Sequence, residues 1–204
     1  MDNITWKTID KNAEVELIEK RSRFIARAFC VTTEADALAY LTKIRTRHRD
    51  ATHNVYAYVL RENNIARFSD DGEPSGTAGK PIIDILKKEE LVDIIIIVTR
   101  YFGGTLLGTG GLVRAYSDAA KGALTEAGII TIRCLHSFRV TFPYEYFSAV
   151  QSRGYAQLDA DYGEVITLTL CAENPDEFTN DINDATNGTA KIIKGELTCQ
   201  KFCY

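Results

Sequence analysis

Five glycines fall within the nine residues 103–111, between a run of isoleucines and a segment with helical periodicity. Glycine costs roughly 0.5–1 kcal/mol inside a regular helix or strand, so such a cluster indicates positions where a side chain is excluded. The preceding apolar stretch, Val92–Val98, shows no alternation, which is typical of a strand buried on both faces. The chain is therefore expected to place a buried strand, a glycine-rich turn and a helix from about Leu112 to Glu126 in direct succession.

The glycine-rich turn has the form of an anion-binding segment. A turn of this kind that opens a helix leaves backbone N–H groups free and lets an anion approach them, and GTGG at 108–111 fits this description. It is not a P-loop, because the Gly-Lys-Ser/Thr ending is absent, and it is not a dinucleotide-binding fingerprint. The predicted anion- or nucleic-acid-binding residues are Arg100, Arg114, Lys80, Gly103, Gly104, Gly108, Gly110, Gly111 and Tyr101.

Two interpretations of this segment stay open. In the first, the backbone of an anionic partner approaches the glycines, and Tyr101 and Phe102 stack on a base. In the second, the glycines allow tight packing of strand and helix, and Arg114 pairs with Asp118 at i,i+4 spacing.

A second polar concentration lies in the loop at 69–81, where Asp70, Asp71, Glu73 and Ser75 stand close together. Neighbouring carboxylates serve either as an acid/base pair or divalent-cation site, or as turn residues that bond nearby loop backbone. The three histidines show no metal-ligand spacing. We expect no catalytic residue, no metal and no cofactor.

Charge is unevenly distributed along the chain, whose net charge is −4. Residues 1–133 carry 19 Lys and Arg against 18 Asp and Glu, whereas residues 134–204 carry 5 against 10. Because Lys and Arg contacts drive phosphate binding, a nucleic-acid contact is expected on the first part. Its most basic segment, KIRTRHRD at 43–50, is either a solvated helix end or a contact with RNA or an acidic partner.

Cysteine content and the N-terminal sequence bear on the compartment. Five cysteines, an odd number without paired spacing, predict no disulfide framework and favour a reducing environment. The N-terminal MDNITWKTID lacks the regions of a signal peptide, and the apolar run Ile94–Val98 is far shorter than the about 20 residues that span a bilayer. We expect a cytoplasmic protein without membrane contact.

The last third of the chain predicts a second domain. Its segments read as a strand, a helix, two strands that turn near Gly163, a helix from Pro175 and a closing strand. This β-α-β-β-α-β order is the ferredoxin-like plan, with two helices on one face of an antiparallel sheet. The sequence therefore predicts an α+β protein with one domain at 1–133 and another at 134–204.

Several segments resemble those of a known family. DGEPSGTAGKP at 71–81 and VTRYFGGTLLGTGGLVRAYSDAAKGAL at 98–124 are similar to segments of the IMPACT family, in particular its bacterial YigZ-type two-domain members. KRSRFIA at 20–26 and HNVYAY at 53–58 resemble two further recurring segments. The resemblance covers the N-terminal domain closely, and the C-terminal domain with fewer diagnostic residues.

The resemblance implies a fold for each domain. The N-terminal domain is expected to be an α/β sandwich like the second domain of a small-subunit ribosomal protein, a fold shared with domain IV of elongation factor G and with GHMP-type kinases. The C-terminal domain is expected to resemble domain V of elongation factor G.

The resemblance also implies a function. Eukaryotic members regulate translation by restraining the initiation-factor kinase that responds to amino-acid starvation, and use an additional N-terminal interaction domain for part of this. The present chain begins directly with the shared domain, so that partner is not carried over to it. For bacterial members ribosome or nucleic-acid binding is implied, and we expect this chain to bind ribosome or RNA through the glycine-rich segment.

Two alternatives remain beside this expectation. In the first alternative, the chain is a protein-interaction module with structural glycines, which suits its acidic second domain. In the second, it is a nucleotide- or phosphate-binding enzyme related to GHMP kinases. Against the enzyme, Leu112 and Val113 follow GTGG where small hydroxyl residues are expected. The sequence indicates no oligomeric state.

Overall fold

The structure is a computed structural model that describes the backbone of residues 5–202 and the side chains of residues 5–197. The chain divides into two compact units, Trp6–Thr131 and Ile132–Phe202, with Thr5 assigned to the second. These are called the N-terminal and the C-terminal unit below.

The N-terminal unit contains strands and helices in mixed order along the chain. In chain order they are β1 (Thr5–Ile9), β2 (Ala13–Glu19), β3 (Ser22–Cys30), α1 (Glu34–Arg47), β4 (His53–Leu60), β5 (Ile65–Ser69), α2 (Gly79–Lys88), β6 (Ile94–Tyr101) and α3 (Thr109–Ala127). A short 3₁₀ turn, Glu62–Asn64, joins β4 to β5.

Strand β6 is the centre of the N-terminal sheet, whose strands lie in the order β2-β3-β6-β4-β5. It pairs antiparallel with β3 on one side and with β4 on the other. Ile94, Ile96 and Val98 belong to the core that α2 and α3 cover, whereas Ile95 and Ile97 pack against α1. A strand buried on both faces is thereby confirmed, and the helices on the two faces explain why its sequence does not alternate.

Local sequence accounts for how the helices begin and pack. The Thr33 side chain caps α1 by accepting a hydrogen bond from the backbone N–H of Asp36. Helix α3 packs on the sheet through small residues, Ala115, Ala119 and Ala123 among them, and Tyr116 lies fully buried between them. These small side chains let the helix approach the sheet closely.

The C-terminal unit has the predicted ferredoxin-like order. Its elements are β7 (Ile129–Phe142, which starts just before the division), α4 (Phe147–Gln151), β8 (Ala156–Tyr162), β9 (Ile166–Ala172), α5 (Pro175–Ala185) and β10 (Lys191–Phe202). The strands lie in the order β10-β7-β9-β8, and β1 also pairs with β7. Phe138, Phe178 and Ile182 are among the residues of its core. The α+β class and the β-α-β-β-α-β plan are confirmed.

Some features depart from the expectations. Strand β1 was not predicted, because TWKTI is too polar to indicate a strand by itself. Cys134 is disulfide-bonded although the cysteine spacing predicts no disulfide framework, while Cys30 and Cys171 are free. Among the helices within residues 5–202, none combines the length and apolar character needed to cross a bilayer.

Candidate nucleic-acid interface

The first glycine after β6 is explained by close backbone packing. A Cβ placed on Gly103 would lie 2.0 Å from the carbonyl carbon of Arg21 and 2.4 Å from the backbone nitrogen of Ser22. The backbone N–H of Gly103 donates to the Ser22 hydroxyl at 3.2 Å. The glycine segment therefore lies directly against the turn between β2 and β3, and tight packing rather than a ligand accounts for this glycine.

The other four glycines divide by their surroundings. Gly104 and Gly108 adopt φ angles of +81° and +73°, which side-chain-bearing residues rarely adopt. Gly111 lies near Leu107, whose Cβ would be 3.1 Å from an added Cβ. Gly110 has neither a positive φ nor any described atom within 4 Å of an added Cβ. Among the described residues, Gly110 is therefore the glycine of this segment that the fold itself does not require.

The start of helix α3 offers free backbone donors to solvent. Gly108 is its N-cap and supplies no side-chain cap, and the first turn holds no acidic residue. Within the described part of the chain, the N–H groups of Thr109, Gly110 and Gly111 have no hydrogen-bond acceptor. Unsatisfied N–H groups at a helix N-terminus carry a partial positive charge that favours anions. The start of α3 therefore has the free backbone donors that an anion-binding helix N-terminus requires.

Arg100 lies inside the fold rather than at its surface. The residue is 5% exposed, and its Nη1 donates to Oε1 of Glu73 at 2.7 Å. Tyr116 donates to the same oxygen at 2.7 Å, and Nε2 of His53 lies 3.8 Å from Oε2. The charge of Arg100 is thus balanced by Glu73, and its guanidinium is not presented to an anion in solvent.

The hydroxyl of Tyr116 is a buried hydrogen-bond donor whose environment disfavours loss of its proton. Burial, followed by the hydrogen bond to Glu73, raises the pKa of Tyr116 far above the usual range. The carboxylate of Glu73 accepts hydrogen bonds from both Arg100 and Tyr116. This arrangement ties the acidic loop to β6 and α3.

Two further residues of the acidic loop serve its conformation. Asp70 accepts hydrogen bonds from the backbone N–H groups of Gly76, Ala78 and Gly79, which caps the start of α2. Asp71 accepts from the backbone N–H of Asn54 at 2.7 Å and from Arg45, and Ser75 is exposed. Turn chemistry accounts for Asp70 and Asp71, whereas Glu73 is the buried counter-charge of Arg100.

The remaining predicted residues lie at the surface or half-buried. Arg114 is exposed, and its Nε donates to the carbonyl of Gly110 at 3.4 Å; it makes no ion pair with Asp118 among the described residues. Lys80 is exposed and forms an i,i+4 ion pair with Asp84. Tyr101 is half-buried, with the Arg23 guanidinium 5.8 Å from its ring centre, and Phe102 is 46% exposed.

A second buried arginine, which the sequence did not single out, lies on the α1 face of the sheet. Arg27 is 2% exposed and donates to Glu14, to the Thr99 hydroxyl and, from Nη2, to Nε2 of His48 at 2.8 Å. An arginine only donates, so Nε2 accepts and the proton of the neutral ring is on Nδ1, 2.8 Å from the Tyr101 hydroxyl. The end of α1 is thus linked to the strand that leads into the glycine segment.

The arrangement around His48 predicts an acid-sensitive stability. Burial, and then the charges of Arg27 and Arg47, lower the pKa of His48. The folded state disfavours protonation of His48. The neutral ring therefore makes its full contribution to stability above the unfolded pKa of about 6.5, and this contribution is lost as pH falls below that value. We expect the free energy of unfolding, measured with urea, to fall between about pH 7.5 and about pH 5.5 by more in the native protein than in His48→Gln. Equal pH dependence in the two proteins would contradict this role.

Exposed cations surround the same end of the N-terminal unit. Lys20 and Arg21 form the turn between β2 and β3, with φ angles of +44° and +69°, and the backbone of Arg21 contacts the Gly103 position. Arg47 and Arg49 flank His48 at the end of α1. In the described part of the chain none of these four side chains makes an ion pair. Two of the four, Arg47 and Arg49, belong to the basic segment 43–50 that the sequence analysis singled out.

Comparison with protein families identifies the domain type. Residues 20–124 match the model of the Impact N-terminal domain. This span begins at the β2–β3 turn and ends near the C-terminal end of α3, so it contains the glycine segment, the acidic loop and both buried arginines.

Relatives extend the likeness to nearly the whole chain. The IMPACT family member YvyE of Bacillus subtilis is 35% identical over 201 residues, which are 95% of this chain and 93% of that protein. The IMPACT family member YigZ of Escherichia coli is 32% identical over 192 residues, covering 89% and 94% of the two chains. A crystal structure described as that of a hypothetical protein aligns with a TM-score of 0.62 and 29% identity over 96% of this chain and 99% of its own. From the matched domain and these two full-length relatives, the chain belongs to the IMPACT family.

Proposed function

We propose that this protein regulates translation by binding the ribosome or RNA through one end of its N-terminal unit. The observation that carries the proposal is a set of exposed cations beside the open start of α3 that form no ion pair with any residue the structure describes. Lys20 and Arg21 adjoin the glycine segment through the contact of Arg21 with the Gly103 position. Arg47 and Arg49 adjoin it through the hydrogen bond between His48 and Tyr101.

The chemistry of this surface suits a phosphate backbone. Lysine and arginine side chains supply the sequence-independent attraction, and the N–H groups of Thr109, Gly110 and Gly111 supply directional donors. Phe102, which directly precedes the glycine segment, is 46% exposed and offers a ring on which a base can stack. Arg114 and Lys80 remain proposed contacts at the margin of this surface, whereas Arg100 acts from inside by holding Glu73.

The C-terminal unit supports placing the contact on the N-terminal unit. Asp159 and Asp161 of β8 are exposed and pair with Thr169 and Thr167 of the neighbouring strand. Carboxylates on an exposed strand repel phosphates, and residues 134–204 carry an excess of acidic over basic side chains.

Charge removal tests the proposal. We expect the double variant Arg21→Ala/Arg49→Ala to pellet with ribosomes less than the native protein at low salt. It should also lower the slope of log affinity against log salt for a single-stranded RNA by about 1.4, or roughly 0.7 per lost phosphate contact. Co-sedimentation across a salt series and fluorescence anisotropy measure the two effects.

A matched variant separates this surface from net charge. Arg67→Ala/Lys87→Ala also removes two exposed cations, from β5 and from the last turn of α2, and should behave like the native protein. Equal losses in both double variants would show that overall charge, not this surface, determines binding. Absence of binding by the native protein even at low salt would overturn the proposal.

A further inference from the structure

A groove runs between helices α2 and α3 on the outside of the N-terminal unit. It consists of two hollows of about 390 Å³ and about 400 Å³, both of which are lined by Ile85 and Lys88. Because the hollows share these residues, they form one continuous depression. Lys80, a proposed contact at the margin of the cationic surface, lines one hollow, whereas Lys20, Arg21, Arg47 and Arg49 line neither.

The groove follows the helices along their length. One hollow is lined by residues from the first turns of both helices, including Pro81 and Val113, and the other by residues near their ends, including Leu124. The two helices therefore run in the same direction along the groove. From Val113 to Thr125 the helix advances about 18 Å at about 1.5 Å per residue, which is the length of about three helical turns.

The floor of the groove is apolar although it faces solvent. Ile85 is half-buried, Val113 is 37% exposed and Ile129 is 46% exposed. Buried neighbours of Ile85 on α2, such as Ile82 and Leu86, already supply the contact with the core. The partly exposed apolar side chains are thus available to a partner.

The walls of the groove are cationic on both sides. Lys88 projects from α2 and Lys121 from α3, and neither makes an ion pair among the described residues. The charge of Asp84 is taken by Lys80, which leaves Glu89 as the acidic group without an ion pair in the described lining. A cation on each wall of an apolar floor is complementary to a helix with an apolar stripe flanked by acidic residues.

We propose that this groove binds an acidic amphipathic helix of a partner protein. The apolar floor distinguishes this occupant from RNA, which would leave Ile85, Val113 and Ile129 without apolar contacts. The interaction is of the helix-in-groove type, with anchors at i, i+4 and i+7 of the bound helix and glutamates on its flanks.

A designed peptide of about 14 residues, with leucines at those anchor positions and glutamates elsewhere, serves as the probe because it matches the groove in length. We expect it to bind, as measured by fluorescence anisotropy, and a lysine version of the same peptide not to bind. Lys88→Glu/Lys121→Glu should weaken binding about tenfold, since the charge reversal turns the attraction to two exposed lysines into repulsion. Val113→Asp should also weaken peptide binding, because it places a charge in the apolar floor of the groove.

The control variant Lys43→Glu/Arg67→Glu makes the same charge change on α1 and β5, and should bind the peptide like the native protein. Circular dichroism checks that each variant is folded, and ribosome pelleting should be unchanged in Lys88→Glu/Lys121→Glu. Equal binding of both peptides, or no loss in either groove variant, would overturn the proposal. Displacement of the peptide by a single-stranded RNA would assign the groove to nucleic acid and overturn it as well.

Discussion

Glu73→Ala is expected to lower the free energy of unfolding of the N-terminal unit by about 3–5 kcal/mol. The substitution removes the carboxylate to which Arg100 and Tyr116 both donate, and leaves a buried guanidinium without its counter-charge. A loss of this size is a large share of the about 5–15 kcal/mol that stabilises a typical protein. Urea denaturation followed by circular dichroism measures it.

Three companion variants identify the cause. Glu73→Gln keeps the shape but not the charge and should lose nearly as much stability. Glu73→Leu combined with Arg100→Met and Tyr116→Phe removes both charges and the hydroxyl that would lose its acceptor, and should recover most of the loss, because apolar residues often replace a buried ion pair without cost. Lys11→Ala breaks the exposed Lys11–Glu126 pair and should cost less than about 1 kcal/mol. A Glu73→Ala effect no larger than that of Lys11→Ala would refute the role assigned to the buried pair.

Gly103→Ala and Gly110→Ala are expected to act in opposite directions. The first places a Cβ 2.0 Å from the backbone of Arg21, so either the glycine segment or the β2–β3 turn must move, at a cost of about 3 kcal/mol. The second places a methyl group in open space inside a helix, where alanine is favoured over glycine by up to about 1 kcal/mol. Thermal denaturation and urea denaturation measure both changes.

The same two variants separate packing from binding. If an anionic backbone approaches α3 at Gly110, the added methyl group should weaken ribosome or RNA binding in a protein that is at least as stable as the native one. Unchanged binding by Gly110→Ala would show that no partner comes close to this residue. A Gly103→Ala protein as stable as the native one would contradict the packing described for the β2–β3 turn.

Much of the fold was predictable because its signals are local. The unbroken apolar run of β6 and the hairpin of β8 and β9 each depend on neighbouring residues, and the structure confirms them. The order of elements in the last third was sufficient to predict its sheet plan. Strand β1 depends on pairing with a strand more than a hundred residues away, and its own sequence does not reveal it.

The candidate site was less predictable because charge alone does not show burial. Arg100 and Arg114 look alike in sequence, yet Arg100 follows the alternation of β6 into the core beneath α3, where a loop carboxylate meets it. Arg27 is buried on the other face for the same reason, and its contact with His48 depends on how α1 ends. Lys20 and Arg21 of the β2–β3 turn belong to the candidate site because Gly103 packs against that turn, a contact that their sequence does not reveal.

Strand β6 is the last strand of the N-terminal sheet to be synthesised, although it occupies the middle position. Its two neighbours, β3 and β4, are each paired with it and not with one another. At a translation rate of about 5–20 residues per second, synthesis of β6 therefore begins about 1–5 s after β5 is complete. During this time the hairpins β2–β3 and β4–β5 lack the strand that joins them. The sheet closes in one late step, and until then two inner strand edges are open to other chains.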